Sequence, residues 1–98
     1  MSIYLPQVIN GTVATAGTRV KLSSASAPFR LAIITALAGN TGVLYIGGET
    51  VSSSVYGIAL TKGTSISITS SGNDPTFDLS NFYADVGTNS DGFSILYF

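Results

Sequence analysis

What most constrains the fold of this chain is the rhythm of its apolar segments. Short runs rich in Val, Ile, Leu, Tyr and Phe recur roughly every ten residues, each bounded by Gly, Asn, Asp, Pro or Ser. Within them apolar and polar residues alternate with the period of two that belongs to strands. In residues 18–23, Val20 and Leu22 alternate with Arg19 and Lys21, so one face is dry and the other wet. No segment shows the 3.6-residue stripe of an amphipathic helix. This spacing predicts an all-β chain: a single antiparallel β-sandwich of about eight strands, jelly-roll-like, with residues 1–98 as one domain.

The expected strands can be placed along the chain. The first spans residues 7–14, with Asn10-Gly11 marking a turn or bulge inside it. The second spans 18–23. Residues 29–37 form the longest, because the β-branched Ile33-Ile34-Thr35 triplet favours a strand over a buried helix. Both of its faces are largely apolar, which predicts a central strand or one whose second face meets a neighbouring subunit. Residues 43–46 precede a Gly47-Gly48 breaker, and a Ser-rich loop over 49–56 leads to a short strand at 58–60. Thr61-Lys62-Gly63-Thr64 reads as a tight hairpin turn into 64–69, with Gly63 supplying a positive φ. After a loop at 70–75, residues 78–85 start with a turn at Asp78 and become a strand through Tyr83. The loop 86–92 leads to a last strand at 93–98, which predicts that the final residues are structural.

Composition then narrows the function. Charged residues are 9% of the chain, against about 25% in an ordinary soluble domain. Four Lys/Arg, five Asp/Glu and no His leave Ser, Thr, Gly, Asn and apolar side chains to cover the surface, while 45% of residues are hydrophobic. Monomers keep apart through surface charge, so this balance suits a subunit buried against copies of itself or a larger assembly. The four cations (Arg19, Lys21, Arg30, Lys62) are scattered, which argues against a nucleic-acid partner. The longest apolar run, residues 31–38, is far short of the roughly 20 needed to cross a membrane as a helix. The opening residues lack the basic start and long apolar run of a signal peptide, so secretion by that route is not expected.

The same inventory speaks against catalysis. Without Cys there is no thiolate nucleophile, disulfide or zinc-finger site, and without His the commonest general base and metal ligand are missing. Serine therefore has no His to activate it. Two carboxylate pairs, Asp74 with Asp78 and Asp85 with Asp91, are the remaining acid/base or Ca²⁺-binding groups. Asp78 before Leu79-Ser80 reads better as a turn or cap residue, and Asp91-Gly92 as a turn pair. Short Gly runs such as Gly47-Gly48-Glu49 lack the strand–loop–helix setting of a phosphate cradle. We expect no enzyme, cofactor or metal. Tyr45, Phe82, Tyr83, Phe93 and Tyr97 fall within strand patterns and read as core or interface anchors, while Tyr56, in the Ser-rich loop, reads as an exposed contact.

Three stretches carry a resemblance: Thr15–Leu22 (TAGTRVKL), Asn40–Ile68 (NTGVLYIGGETVSSS through GIALTKGTSISI), and Asp78–Phe98 (DLSNFYAD, then DGFSILYF). In the order of their hydrophobic and Gly positions they resemble small β-sandwich virion proteins encoded among the head and tail genes of tailed bacteriophages. The resemblance implies a non-enzymatic capsid decoration (cement) protein on the outer capsid surface. Its partners would be the major capsid protein and itself, as a homotrimer at three-fold axes. A small head–tail connector or tail component is the alternative from the same class. A carbohydrate-binding module for host attachment, using Tyr56 with Asn73 and Asp74, is the alternative from another. The irregular segments 2–7, 49–56 and 70–76 are the expected contact regions, with Tyr4, Glu49, Tyr56, Asn73 and Asp74 as contact residues.

Overall fold

The computed structural model describes residues 5–70 and 77–98. Among them the alternating segments become ten strands: β1 (Gln7–Thr12), β2 (Val20–Lys21), β3 (Pro28–Phe29), β4 (Leu31–Ala36), β5 (Leu44–Gly47), β6 (Ile58–Leu60), β7 (Ser65–Thr69), β8 (Phe77–Asp78), β9 (Tyr83–Val86) and β10 (Gly92–Tyr97). One turn of 3₁₀ helix, Leu79–Asn81, separates β8 from β9. One four-stranded sheet has the order β1-β10-β4-β7, a second β2-β9-β5-β6, and β3 pairs with β8; every pairing is antiparallel. Counting only the strands of the two larger sheets, these orders are 1-8-3-6 and 2-7-4-5, the jelly-roll arrangement of two Greek keys.

The pairings are nested. β1 joins β10, β2 joins β9, β3 joins β8, β4 joins β7 and β5 joins β6. Gln7 with Tyr97, Val20 with Ala84 and Leu44 with Leu60 all flank Ser52 symmetrically along the chain. The molecule is one long antiparallel hairpin, with its tip at the loop of residues 48–57, wrapped so that its pairs are shared between the sheets: β1–β10 and β4–β7 in one, β2–β9 and β5–β6 in the other. Among the described residues, only β5 and β6 are joined as a direct hairpin.

The dry core lies between the sheets. The first contributes Ala32, Ile34, Ala36, Phe93 and Ile95, and the second contributes Leu44, Ile46, Leu60, Ala84 and Val86. Leu22, Phe29 and Leu79 close it, and Phe29 packs on the Phe82 and Phe77 rings with centroids 5.9 Å away in each case. Strand β4 lies between β10 and β7, as its two apolar faces predict: Ala32, Ile34 and Ala36 are buried, while Leu31, Ile33 and Thr35 on the other face are half-buried.

Several local expectations give way. Asn10-Gly11 is neither turn nor bulge, because β1 keeps unbroken register from Gln7–Tyr97 to Thr12–Gly92. The strand expected at 29–37 breaks at Arg30, where β3 leaves to pair with β8 before β4 begins. The Gly47-Gly48 pair does end a strand, with Gly47 itself the last residue of β5. The 61–64 turn is tight, with Thr64 N donating to Thr61 O (3.1 Å) and Gly63 at φ 76°. It is not a hairpin turn, since β6 and β7 lie in different sheets and the turn carries the chain between them. The turn expected at Asp78 is present: Asp78 caps the 3₁₀ turn Leu79–Asn81, after which β9 starts at Tyr83.

Candidate docking face

The acidic side chains are the groups that could act as acid, base or cation ligand. Asp91 is buried, and its carboxylate accepts from Thr41 N (2.9 Å) and Gly42 N (2.7 Å). Beside it, Asn40 substitutes for a strand neighbour: its amide exchanges two hydrogen bonds with the Gly92 backbone (2.8 and 2.9 Å). Asp91-Gly92 is thus no turn pair, since Gly92 opens β10 and Asp91 pins the 40–42 loop to it. Asp85 Oδ1 accepts from Gly17 N (2.9 Å) and Val86 N (2.8 Å), tying the 14–18 loop over the second sheet. Asp78 receives Ala27 N (2.8 Å), Ser80 N (2.9 Å) and the Ser26 and Ser80 hydroxyls (2.5 and 2.8 Å). The Ser26 hydroxyl first, then these backbone N–H groups, hold its carboxyl well below the usual carboxylate range. Asp85 and Asp91 do not converge on one site: each is committed to different backbone groups. Their work is structural, and the described residues contain no group of three or more His, Cys, Asp or Glu placed to hold a metal ion.

The outward face of the β1-β10-β4-β7 sheet has a different character. Cross-strand register sets Val8 beside Leu96, Leu96 beside Ile33 and Ile33 beside Ser67. The next row outward contains Leu31 and Phe98, which exchange backbone hydrogen bonds at 3.0 Å in both directions. The row on the other side is Asn10, Ser94, Thr35 and Ser65. None of these side chains is charged. Val8 is 63% exposed, Leu96 38% and Phe98 36%, with Leu5 beyond the start of β1 at 67%. The result is an apolar ridge rimmed by hydroxyls and amides, the kind of exposed patch that marks interaction sites.

The expected contact residues divide. Glu49 and Tyr56 are exposed and share the hairpin-tip loop, where the Tyr56 ring rests on Tyr45 of β5 with centroids 5.0 Å apart. Tyr4, Asn73 and Asp74 lie outside the described residues, as do most of the expected contact segments 2–7 and 70–76. Of the aromatic anchors, Phe93 is buried in the core, while Tyr45, Phe82, Tyr83 and Tyr97 are half-buried. Irregular loops were the signal for contacts in the sequence, and that signal passed over Val8, Leu96 and Phe98. A better one is the run Phe93 to Phe98, in which both alternating sets contain large apolar residues.

Comparison with known proteins leaves the chain on its own: no family model, no curated protein and no solved structure matches it.

Proposed function

We propose that the chain is a virion structural protein of a tailed bacteriophage, a capsid decoration protein that binds the outer shell as an oligomer and stabilises it. The single observation that carries this reading is the charge-free, apolar outer face of the β1-β10-β4-β7 sheet. A surface without charges is matched by shape and burial, and it neither attracts nor repels at long range. Jelly rolls recur in capsid proteins, although a fold by itself assigns no function. On a shell, many copies of one modest contact act together, so each need not be tight.

The test is the protein content of purified virions together with co-sedimentation of the purified chain with expanded capsids. Saturation at a fixed ratio to the major capsid protein supports the reading; absence from virions and from the capsid pellet overturns it. Leu96→Lys, which places a charge at the centre of the ridge, should weaken capsid binding about tenfold or more, equivalent to about 1.4 kcal/mol or more. Its unfolding midpoint should stay close to that of the parent, because Leu96 is outside the core.

The second reading is glycan binding. The exposed Tyr56 ring, tilted at 45° against Tyr45, favours it, since an exposed aromatic face held by a second ring is where a sugar can lie. A glycan-array signal abolished by Tyr56→Ala would shift the assignment to host attachment.

A further inference from the structure

We infer that strand β1 is a pairing edge for a second copy of this chain, joining two sandwiches through an antiparallel β1–β1 contact about a two-fold axis at Asn10. The inference does not depend on what the assembly binds.

The argument begins with backbone direction. Leu31 and Phe98 exchange N–H···O bonds with each other, so they form a closely hydrogen-bonded pair of the β4–β10 ladder. Alternation then points the amides of Leu96 and Ser94 toward β4 and those of Tyr97, Ile95 and Phe93 toward β1. There they meet Gln7, Ile9 and Gly11. The N–H and C=O groups of Val8, Asn10 and Thr12 therefore point away from the sheet, into an edge that no strand among the described residues pairs with.

Folded proteins usually protect such an edge with a charge, a proline, a bulge or a very short strand. β1 has none of these. Its sequence QVINGT is uncharged and free of proline, Pro6 lying just before the strand, and it pairs with β10 without a bulge along its whole length. The neighbouring edge strand of the other sheet, β2, does carry a cation, Lys21.

The edge is also self-complementary. An antiparallel two-fold at Asn10 sets Asn10 opposite Asn10, and Val8 opposite the second copy's Thr12, with every outward N–H facing an outward C=O. Side chains on the inner side then pair as Ile9 against the second copy's Gly11. That match has somewhere to go: a groove of about 360 Å³ runs between β1 and β2, with Ile9, Gly11, Val20, Leu22 and Phe93 among its lining residues. Each copy's Ile9 enters the other's groove beside Gly11, where the Phe93 ring lies over the glycine and offers an apolar surface. On the outer side the two apolar ridges, each ending at Val8, become part of one continuous sheet. No like charges meet at any paired position.

The test is light scattering across a concentration series, combined with amide hydrogen exchange on the full chain. The expected mass is that of a dimer, or of an even-numbered assembly of dimers, and exchange at Val8, Asn10 and Thr12 slows as concentration rises. Asn10→Pro removes an N–H that points outward and leaves the β1–β10 ladder intact, so it should halve the mass of the dimer. Thr12→Lys, which keeps the backbone and adds a charge to the edge, should do the same if the pairing is right. Thermal melting of both variants establishes that the monomer is folded. A parent that stays monomeric at high concentration, a trimer, or an oligomer whose mass both variants leave unchanged would each overturn the inference.

Discussion

Asp78, Asp85 and Asp91 show how a chain with so few charges uses those it has. Each carboxylate satisfies backbone N–H groups that no strand neighbour reaches: Ala27 and Ser80, Gly17 and Val86, Thr41 and Gly42. Removing Asp91 by Ala takes a buried carboxylate away from two part-buried amides, so urea unfolding should show a loss of about 1–3 kcal/mol. Asp78 adds a pH signature. Its carboxyl sits below its ordinary value of 3.8 in the folded protein, so on acidification the unfolded chain takes up the proton first. Its stabilising contribution is complete above that ordinary value and is lost as pH falls below it. Melting temperatures of the parent should therefore drop more steeply below about pH 4 than those of Asp78→Asn. Gly11 makes the opposite point: a Cβ there would lie within the Phe93 ring. Gly11→Ala must displace a core aromatic and should cost about 1–3 kcal/mol by the same measurement. The capping role of Asp78 is legible in the sequence because its partner Ser80 is two residues away. The roles of Asp85 and Asp91 are not, since Gly17 and Thr41 are distant in sequence and only the fold brings them close.

At the level of elements, the sequence discloses which segments are strands and conceals which of them pair. Period-two alternation marks β7 plainly, while β4 and β10 are marked by runs apolar on both faces, which also place β4 in the middle of its sheet. The turn at 61–64 has the right residues and the right Gly63, but turn chemistry specifies only a reversal, not the sheet that receives the next strand. The docking ridge was half legible for the same reason. The outward side of β4 announces itself, while Val8 and Leu96 join it only through pairings between chain ends. The hairpin tip gives an element-scale test. In the loop of residues 48–57, Ser52 and Val55 close a small turn around exposed Ser53 and Ser54. Lengthening that loop by a few Gly and Ser residues between Ser53 and Ser54 should cost about 0.6 kcal/mol or less, because closure entropy grows only slowly with length. An Ile34→Ala change in buried β4, by contrast, should cost about 2–5 kcal/mol.

For the molecule as a whole, the nested pairing decides how folding must proceed. β5 and β6 can meet early, because they flank one loop, but each further pair encloses all the pairs inside it, out to Gln7 with Tyr97. Chain entropy must be surrendered before those outer contacts return any energy. Folding rate falls as contacting residues become more distant in sequence, and sandwiches of this kind fold in milliseconds to seconds. Refolding after dilution from urea should therefore fall in that range. Substitutions in the inner β5–β6 hairpin should slow folding more than those in the outer β1–β10 pair, which should mainly speed unfolding. Leu44→Ala and Ile95→Ala serve as the comparison, since both remove fully buried aliphatic side chains. A chevron analysis reads both arms at once. If Ile95→Ala slows folding as much as Leu44→Ala does, the outer pair forms with the nucleus and the hairpin does not close from its tip.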